Sequence, residues 1–267
     1  MRLRWKTLFA VLIGFVIVSI GLNLFLFDLA LEYYRDASAV RLDPLSLDVF
    51  PNAPSNSDAM RVVFFGDSRA QDWPVPAEFV GVEFLNRGIG NQTSTQIALR
   101  FDAHVRPLSP DVIVLQMCVN DLKAIPLFPE RKDAIIATCQ SNIERIIAES
   151  REIGVQVILT TVFPVGDVPL QRRFVWSGDV AEAVREVNQY IMSLAADDVI
   201  VFDTYSLLVD DDNGLLRPDL SLDELHLNTE GYAVLNSELA EIISQMGGWG
   251  FDGTDQNLRA EVASRQL

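Results

Sequence analysis

Five short apolar runs, separated by stretches with helical periodicity, set the strongest limit on what this chain can fold into. Apolar runs without polar alternation are typical of strands buried on both faces, as in a parallel sheet covered by helices. The sequence therefore predicts a three-layer α/β sandwich with a parallel sheet. The predicted strands span residues 61–65, 82–86, 111–117, 155–163 and 199–203, and the predicted helices span 94–106, 133–153, 179–196 and 229–245.

The N-terminal region contains an uncharged run at residues 8–27. As a helix, this run extends about 30 Å, which is the thickness of the hydrocarbon core of a bilayer. Basic residues precede the run and acidic residues follow it, so the positive-inside rule predicts a cytoplasmic N-terminus and an external domain, periplasmic or extracellular. A cleaved secretory signal is the alternative, but its apolar region is usually about 7–15 residues long. We therefore predict a single-pass membrane anchor.

Composition predicts how the chain is divided. Residues 1–35 form the anchor, the Pro- and Ser-rich residues 36–60 form a linker, residues 61–246 form the α/β domain, and residues 247–267 form a disordered tail. Beyond residue 35 the net charge is about −18. A surface with this charge repels phosphate backbones, so we exclude nucleic acid as a partner.

Polar residues follow the predicted strands where ligands bind to parallel sheets, at the carboxyl ends. Ser68 follows the first strand in "GDSRA", and Gly90 and Asn91 follow the second in "NRGIGNQTS". Asn120 follows the third strand in "CVND", and His226 precedes the last helix in "SLDELHLNTEGY". We expect these residues to lie together at one edge of the sheet.

These residue types suit acyl transfer. A serine hydroxyl is a weak nucleophile until a base accepts its proton, and histidine, with a pKa of about 6.5, is the usual base. Asp223, three positions before His226, can orient the imidazole through its other nitrogen. The Ser68 N–H, a backbone N–H of the "GIGNQ" loop and the Asn120 amide can stabilise an oxyanion.

The order of these motifs resembles that of the SGNH (GDSL) hydrolases. "GDS", "N-x-G-I-x-x-x-T", "x-x-N-D" and "D-x-x-H-L-N-x-x-G-Y" occur in that order over about residues 61–245. The resemblance implies a flavodoxin-like sheet and a serine esterase or lipase that needs no metal or organic cofactor. It implies that Ser68 is the nucleophile, His226 the base, Asp223 its partner and Asn120 an oxyanion donor. The substrate would be a small-molecule, lipid or glycan ester.

Two positions depart from the pattern of this family. Where the second block normally has a glycine that donates its N–H to the oxyanion, this chain has Asn91, with Gly90 one position earlier. Asparagine tolerates positive φ better than most residues, so either residue can supply the donor. The third block begins with Cys118 instead of glycine.

Other readings of the sequence remain open or are less favoured. Acyl transfer to a glycan hydroxyl would use the same acyl-enzyme, and a catalytically idle binding or assembly protein could keep the same fold. The "GIG" tripeptide lacks the third glycine of a dinucleotide loop, and "DDDNG" at residues 210–214 is interpreted as a solvated turn and not as a calcium loop. We interpret His104 as structural and Asp67 and Asp121 as hydrogen-bonding residues that fix loops.

Cys118 and Cys139 are the only cysteines of the chain. In an external compartment they could form a disulfide, because the helix that contains Cys139 follows the loop after Cys118. Two buried free thiols are the equal alternative. The sequence leaves this choice open.

Overall fold

The computed structural model describes residues 2–50, 59–76, 79 and 81–247 of the 267. The chain forms two compact units, Met1–Ser46 and Leu47–Leu267. Residues 51–58 of the predicted linker lie outside the described residues, and so does the predicted tail beyond Gly247.

The first unit contains one long helix, α1 (Arg2–Leu42). From Trp5 onward the helix is long and apolar enough to cross a membrane, a test that signal sequences also meet. Its large apolar side chains are exposed. The helix continues well past the predicted apolar run and ends at Leu42.

The second unit is built on a five-stranded parallel sheet, as the sequence predicts. The strand order is β2-β1-β3-β4-β5. The fourth predicted strand extends to residue 163, but β4 ends earlier. The Thr161 amide still donates to the Phe202 carbonyl at 3.0 Å, whereas the Asn188 side chain hydrogen-bonds to both backbone groups of Val162, at 2.7 and 2.9 Å. The strands are β1 (Met60–Gly66), β2 (Val82–Gly88), β3 (Val112–Gln116), β4 (Gln156–Thr160) and β5 (Val199–Phe202).

Helices flank this sheet, and five of them correspond to the four predicted helices. The predicted helix at residues 94–106 is broken at Arg100, whose buried guanidinium donates to the carbonyls of Gly66 and Arg87. Three helices of one turn or little more were not predicted: α2 (Ser68–Gln71), α5 (Val119–Leu122) and α8 (Thr204–Leu208). The others are α3 (Ser94–Leu99), α4 (Phe101–His104), α6 (Lys132–Glu152), α7 (Asp179–Met192) and α9 (Thr229–Gly247).

The core lies on both faces of the sheet. Along β1, Val63 and Phe65 join one buried apolar cluster, and Val62 and Phe64 join the other. This alternation follows from the two-residue period of a strand. The first cluster includes apolar residues of α3, α6 and α7, and the second includes residues of α8 and α9. The prediction of a three-layer α/β sandwich is confirmed.

A disulfide joins Cys118 and Cys139, whose Cα atoms lie 5.8 Å apart. Both residues are fully buried, and the bridge connects the residue before α5 to the first half of α6. Of the two alternatives that the sequence left open, the structure therefore contains the bridge.

Candidate active site

Ser68 lies at the carboxyl end of β1, where the sequence predicts it. Gly66 ends the strand, and a side chain at this position would place its Cβ 1.8 Å from the Gln116 carbonyl oxygen. Asp67 then caps α2 by accepting a hydrogen bond from the Arg69 amide at 2.9 Å. Ser68 is the first residue of α2 and therefore lies at the edge of the sheet.

His226 and Asp223 lie next to Ser68. The Ser68 Oγ and His226 Nε2 atoms are 2.9 Å apart, and the His226 Nδ1 atom is 2.9 and 3.0 Å from the two oxygens of Asp223. Asp223 also accepts hydrogen bonds from the backbone amides of Leu225 and His226 at 2.7 and 2.8 Å. The three side chains thus form a continuous hydrogen-bonded line, although Ser68 and His226 are 158 positions apart in sequence.

The electrostatics of this line favour an ionised Asp223. Partial burial acts to raise the pKa of Asp223, but the hydrogen bonds from the His226 ring and the Leu225 and His226 amides outweigh it, so the pKa is lowered. An ionised carboxylate accepts the Nδ1 proton of His226, which leaves Nε2 of the neutral ring with a lone pair toward Ser68.

The loop after β2 packs closely on α2. A Cβ at Gly88 would lie 2.1 Å from the Gln71 backbone nitrogen, so only glycine allows this approach. The Asn86 side chain donates to the Ala70 carbonyl at 2.8 Å and accepts from the Gly88 amide at 2.8 Å. β2 is therefore fastened to the short helix that begins with Ser68.

Two residues of this loop were alternatives for the backbone oxyanion donor. The Gly90 amide donates to the Gln71 side-chain oxygen at 2.6 Å, so its hydrogen is already in use. Asn91 has φ +61°, the conformation that the sequence allowed for it, and its N–H has no hydrogen-bond acceptor among the residues that the structure describes. The geometry thus favours Asn91 over Gly90 as a donor.

Asn120 lies on the other side of the same loop. Its side-chain amide donates to the Gln92 carbonyl at 2.9 Å, which leaves the second amide hydrogen for another acceptor. Asn120 is buried, in α5. Cys118, two residues earlier, has φ +86°, a region that favours the glycine with which the motif usually begins.

The remaining polar residues singled out from the sequence have structural contacts. Asp121 accepts hydrogen bonds from the Ser94 amide and hydroxyl, each at 2.7 Å, and thereby fixes the start of α3. His104 is buried, with Nδ1 3.3 Å from the Arg100 guanidinium and Nε2 3.1 Å from the Leu47 carbonyl oxygen.

The "DDDNG" segment forms a turn around Asp210. One oxygen of the Asp210 carboxylate accepts from the Asp212 amide at 2.9 Å, and the other accepts from the Asn213 side chain at 3.1 Å. Across the described part of the chain, no group of three His, Cys, Asp or Glu residues is arranged to hold a metal ion.

Several residues that hold the site together could not be identified from the sequence. Arg69 is fully buried and donates to the carbonyls of Phe163 and Leu225, and Gln71 and Gln92 accept the hydrogen bonds described above. Arginine and glutamine side chains are most often at the surface, so the residue types alone do not single out these three, and only their contacts in the fold do.

Comparisons with known proteins agree with this geometry. A family model described as the GDSL-like lipase/acylhydrolase family matches residues 60–234, well over half of the chain. A protein of Bacillus subtilis (strain 168) named uncharacterized lipoprotein YqeF is 29% identical over 121 residues. This match covers 39% of the chain and 49% of the relative, so the chain matches about half the length of that protein.

Solved structures show the same fold. A GDSL-like lipase from Bacteroides thetaiotaomicron is 22% identical with a TM-score of 0.59, and the match covers 80% of this chain and 98% of the lipase. A lipase/acylhydrolase from Enterococcus faecalis is 23% identical with a TM-score of 0.53, and the match covers 70% of this chain and 96% of that protein.

Proposed function

Since this chain belongs to the GDSL-like lipase/acylhydrolase family, we propose that it is a serine esterase that cleaves carboxylic esters through an acyl-enzyme on Ser68. The observation that carries the proposal is the hydrogen-bonded line from Ser68 through His226 to Asp223. A nucleophile, a base and a group that orients the base lie within hydrogen-bond distance of one another, as this reaction class requires.

In the first half of the reaction, the Ser68 Oγ attacks the ester carbonyl carbon while His226 Nε2 accepts the hydroxyl proton. Asp223, which remains ionised, stabilises the resulting imidazolium. When the tetrahedral intermediate collapses, the ester C–O bond breaks and His226 gives its proton to the leaving alcohol. Water then repeats the sequence on the acyl-enzyme and releases the carboxylic acid.

We propose that three N–H groups donate hydrogen bonds to the oxyanion of the tetrahedral intermediate. They are the N–H of Ser68 at the start of α2, the N–H of Asn91 and the second amide hydrogen of Asn120. Donors held by the fold before reaction are effective, because little reorganisation is needed when charge develops. In this proposal the Gly90 N–H is not a donor, since Gln71 occupies it.

The proposed location follows from α1. We propose that the helix anchors the protein in a membrane, with its N-terminus in the cytoplasm and the esterase domain outside, in the periplasm or the extracellular space. The basic residues before the apolar run and the acidic ones after it support this orientation. The substrate would be a small-molecule, lipid or glycan ester that reaches the domain from that side.

The test is ester turnover by the full chain in detergent micelles, with p-nitrophenyl esters of two to twelve carbons in the acyl group. We expect Ser68→Ala and His226→Ala each to lose at least about a thousandfold in kcat. Because the two residues act as a unit, the double variant should be little worse than either single variant.

Ser237→Ala is the matched control, because Ser237 is exposed on α9 and donates only to the Ala233 carbonyl of its own helix. It should keep wild-type turnover. Turnover that survives in Ser68→Ala would exclude the mechanism. A wild-type protein that cleaves none of the esters, and that does not react at Ser68 with a fluorophosphonate, would favour a binding protein on this fold.

A further inference from the structure

Two hydrogen bonds join the helix α2 to the loop that contains His226. One joins the Ser68 Oγ to His226 Nε2 at 2.9 Å, and the other joins Arg69 Nε to the carbonyl oxygen of Leu225 at 2.8 Å. The two contacts involve adjacent residues in each of the two segments: Arg69 follows Ser68, and Leu225 precedes His226. The second contact therefore joins the same two segments of the chain as the first.

Two of the three guanidinium nitrogens of Arg69, Nε and Nη1, donate hydrogen bonds to backbone carbonyls, whereas Nη2 has no partner among the described residues. The Nη1 atom donates to the Phe163 carbonyl at 3.2 Å, and the Cζ atom lies 5.0 Å from the centre of the Phe163 ring. The backbone carbonyl of Arg69 accepts a hydrogen bond from the Tyr232 hydroxyl at 2.9 Å. The side chain is fully buried, so water does not compete for these contacts.

The charge of Arg69 is retained despite its burial. Burial lowers the pKa of Arg69 to about 10, against the opposing effect of the Asp67 and Asp223 carboxylates. The group is thus cationic at neutral pH, and charge-assisted hydrogen bonds to carbonyls are the stronger kind. A buried cation with so many partners is costly to move, which suits a residue that holds others in place.

We propose that Arg69 is a positioning residue that sets the hydrogen bond between Ser68 and His226 by holding the Leu225 carbonyl against α2. The inference rests on the proposed function, since it assigns to Arg69 a role in the efficiency of that reaction. Arg69 acts through Leu225 and does not touch the reacting atoms. A displacement of about 1 Å in a reacting pair can cost about a hundredfold in rate.

The other contacts of the histidine loop do not replace this one. Glu224 forms an ion pair with Arg172, and its carbonyl accepts from the Gly166 amide at 2.9 Å. These contacts fasten the loop to the segment after β4. Among the contacts described for residues 223–226, those of Arg69 and Ser68 are the ones that reach α2.

The kinetic test compares Arg69→Met and Arg69→Lys with the wild type. Methionine keeps the length of the side chain but donates no hydrogen bond, so we expect kcat to fall by about 10- to 100-fold while KM changes less than about threefold. Lysine can still donate to one carbonyl and should recover at least about threefold of the lost kcat. Should Arg69→Met fail to fold, Arg69→Lys alone must lower kcat with little change in KM.

Arg61→Met is the matched control. Arg61 is also mostly buried, pairs with Glu83 at 2.8 Å and donates to the Leu108 carbonyl, but it lies at the opposite end of β1 from Ser68. It should lose stability without losing kcat. If both variants lose kcat equally, or if Arg69→Met keeps kcat within twofold of the wild type, the positioning role is overturned.

A measurement without substrate separates this proposal from the proposed function. The chain has two histidines, so the imidazole NMR signals of His226 can be assigned with a single variant, His226→Gln. We expect Arg69→Met, but not Arg61→Met, to move the His226 signals toward those of a free imidazole. Unchanged His226 signals would reject the role of Arg69. A shift in a protein without esterase activity would retain it and reject only the function.

Discussion

Asp67 is a fully buried carboxyl beside the candidate nucleophile. Burial raises its pKa from 3.8 to about 6, in spite of the opposing charge of Arg69 and the hydrogen bond from the Arg69 amide. One carboxyl oxygen accepts that hydrogen bond, whereas the other has no partner among the described residues. The folded protein therefore binds a proton at Asp67 more tightly than the unfolded chain does.

This asymmetry predicts a pH dependence of stability. Between pH 4 and 6 the folded state holds more protons than the unfolded state, so the free energy of unfolding falls as the pH rises through this window. The difference between a pKa of 3.8 in the unfolded chain and about 6 in the folded protein corresponds to about 3 kcal/mol. The variant Asp67→Asn keeps an oxygen that can accept the capping hydrogen bond, but it cannot ionise. Its free energy of unfolding, relative to that of the wild type, should therefore increase by about this amount between pH 4 and pH 6 or slightly above.

Urea unfolding of both proteins at a series of pH values measures the effect. Only the difference between the two proteins is used, because other carboxyls, Asp121 among them, titrate in both. A difference that stays constant from pH 4 to 7 would show that Asp67 is not the group that binds the extra proton.

At the residue scale, the sequence predicted which residues lie together at the candidate site but not the contacts that hold them there. Ser68, Asp223 and His226 could be found because few residue types can serve as nucleophile, orienting acid and base, and their positions relative to the strands are characteristic. Arg69 could not, since its partners are backbone carbonyls of Phe163 and Leu225, which any residue provides. The choice between Gly90 and Asn91 depended on the hydrogen bond that the Gly90 amide donates to the Gln71 side chain, which no sequence pattern encodes.

At the scale of elements, the disulfide fastens the turn that contains Asn120 to the long helix α6. A closed loop of this length stabilises a fold by about 3 kcal/mol in the chain-entropy model, through its effect on the unfolded state. Because Cys118 is two residues from Asn120, the bridge also restricts a candidate oxyanion donor.

Removal of the bridge is therefore expected to lower the free energy of unfolding by about 3 kcal/mol and to reduce kcat more than it raises KM. The suitable variant is Cys118→Gly with Cys139→Ala, because glycine adopts the positive φ of position 118 without strain. Reduction of the wild type should have the same two effects. Thiol titration of the denatured, unreduced protein checks the premise, and two free thiols would contradict it.

The elements that the sequence predicted poorly are those with little periodicity. One-turn helices such as α2 and α5 are too short to show a hydrophobic period. No glycine or proline marks the break at Arg100. β4 ends near Val162, whose backbone is hydrogen-bonded to Asn188 of α7, a residue far away in sequence. The buried strands are marked by continuous apolar runs, and the long helices carry apolar residues at regular spacing. The bounds of these elements were predicted within a few positions.

For the whole molecule, the prediction concerns the membrane. If α1 is an uncleaved anchor, the full-length protein should remain in the membrane fraction after a carbonate wash, because the transfer of its apolar surface to water is unfavourable. Protease added from outside should reach the domain, for instance beside the exposed Arg173, and protease confined to the cytoplasmic side should not.

Release of a shorter soluble species during expression would identify α1 as a cleaved signal instead. Labelling of native cysteines cannot answer the question of orientation, because both are joined in the buried disulfide. A tag at the N-terminus provides the internal control, since it should be protected from external protease while the domain is not.

The separation of 158 positions between Ser68 and His226 has a consequence for biosynthesis. Ser68, the proposed nucleophile, is made near the beginning of the domain, and His226, the proposed base, near its end, after all five strands. Under the proposed mechanism, a nascent chain carries the serine before it carries the base that would activate it. We therefore expect ester hydrolysis to begin only when synthesis of the domain is almost complete.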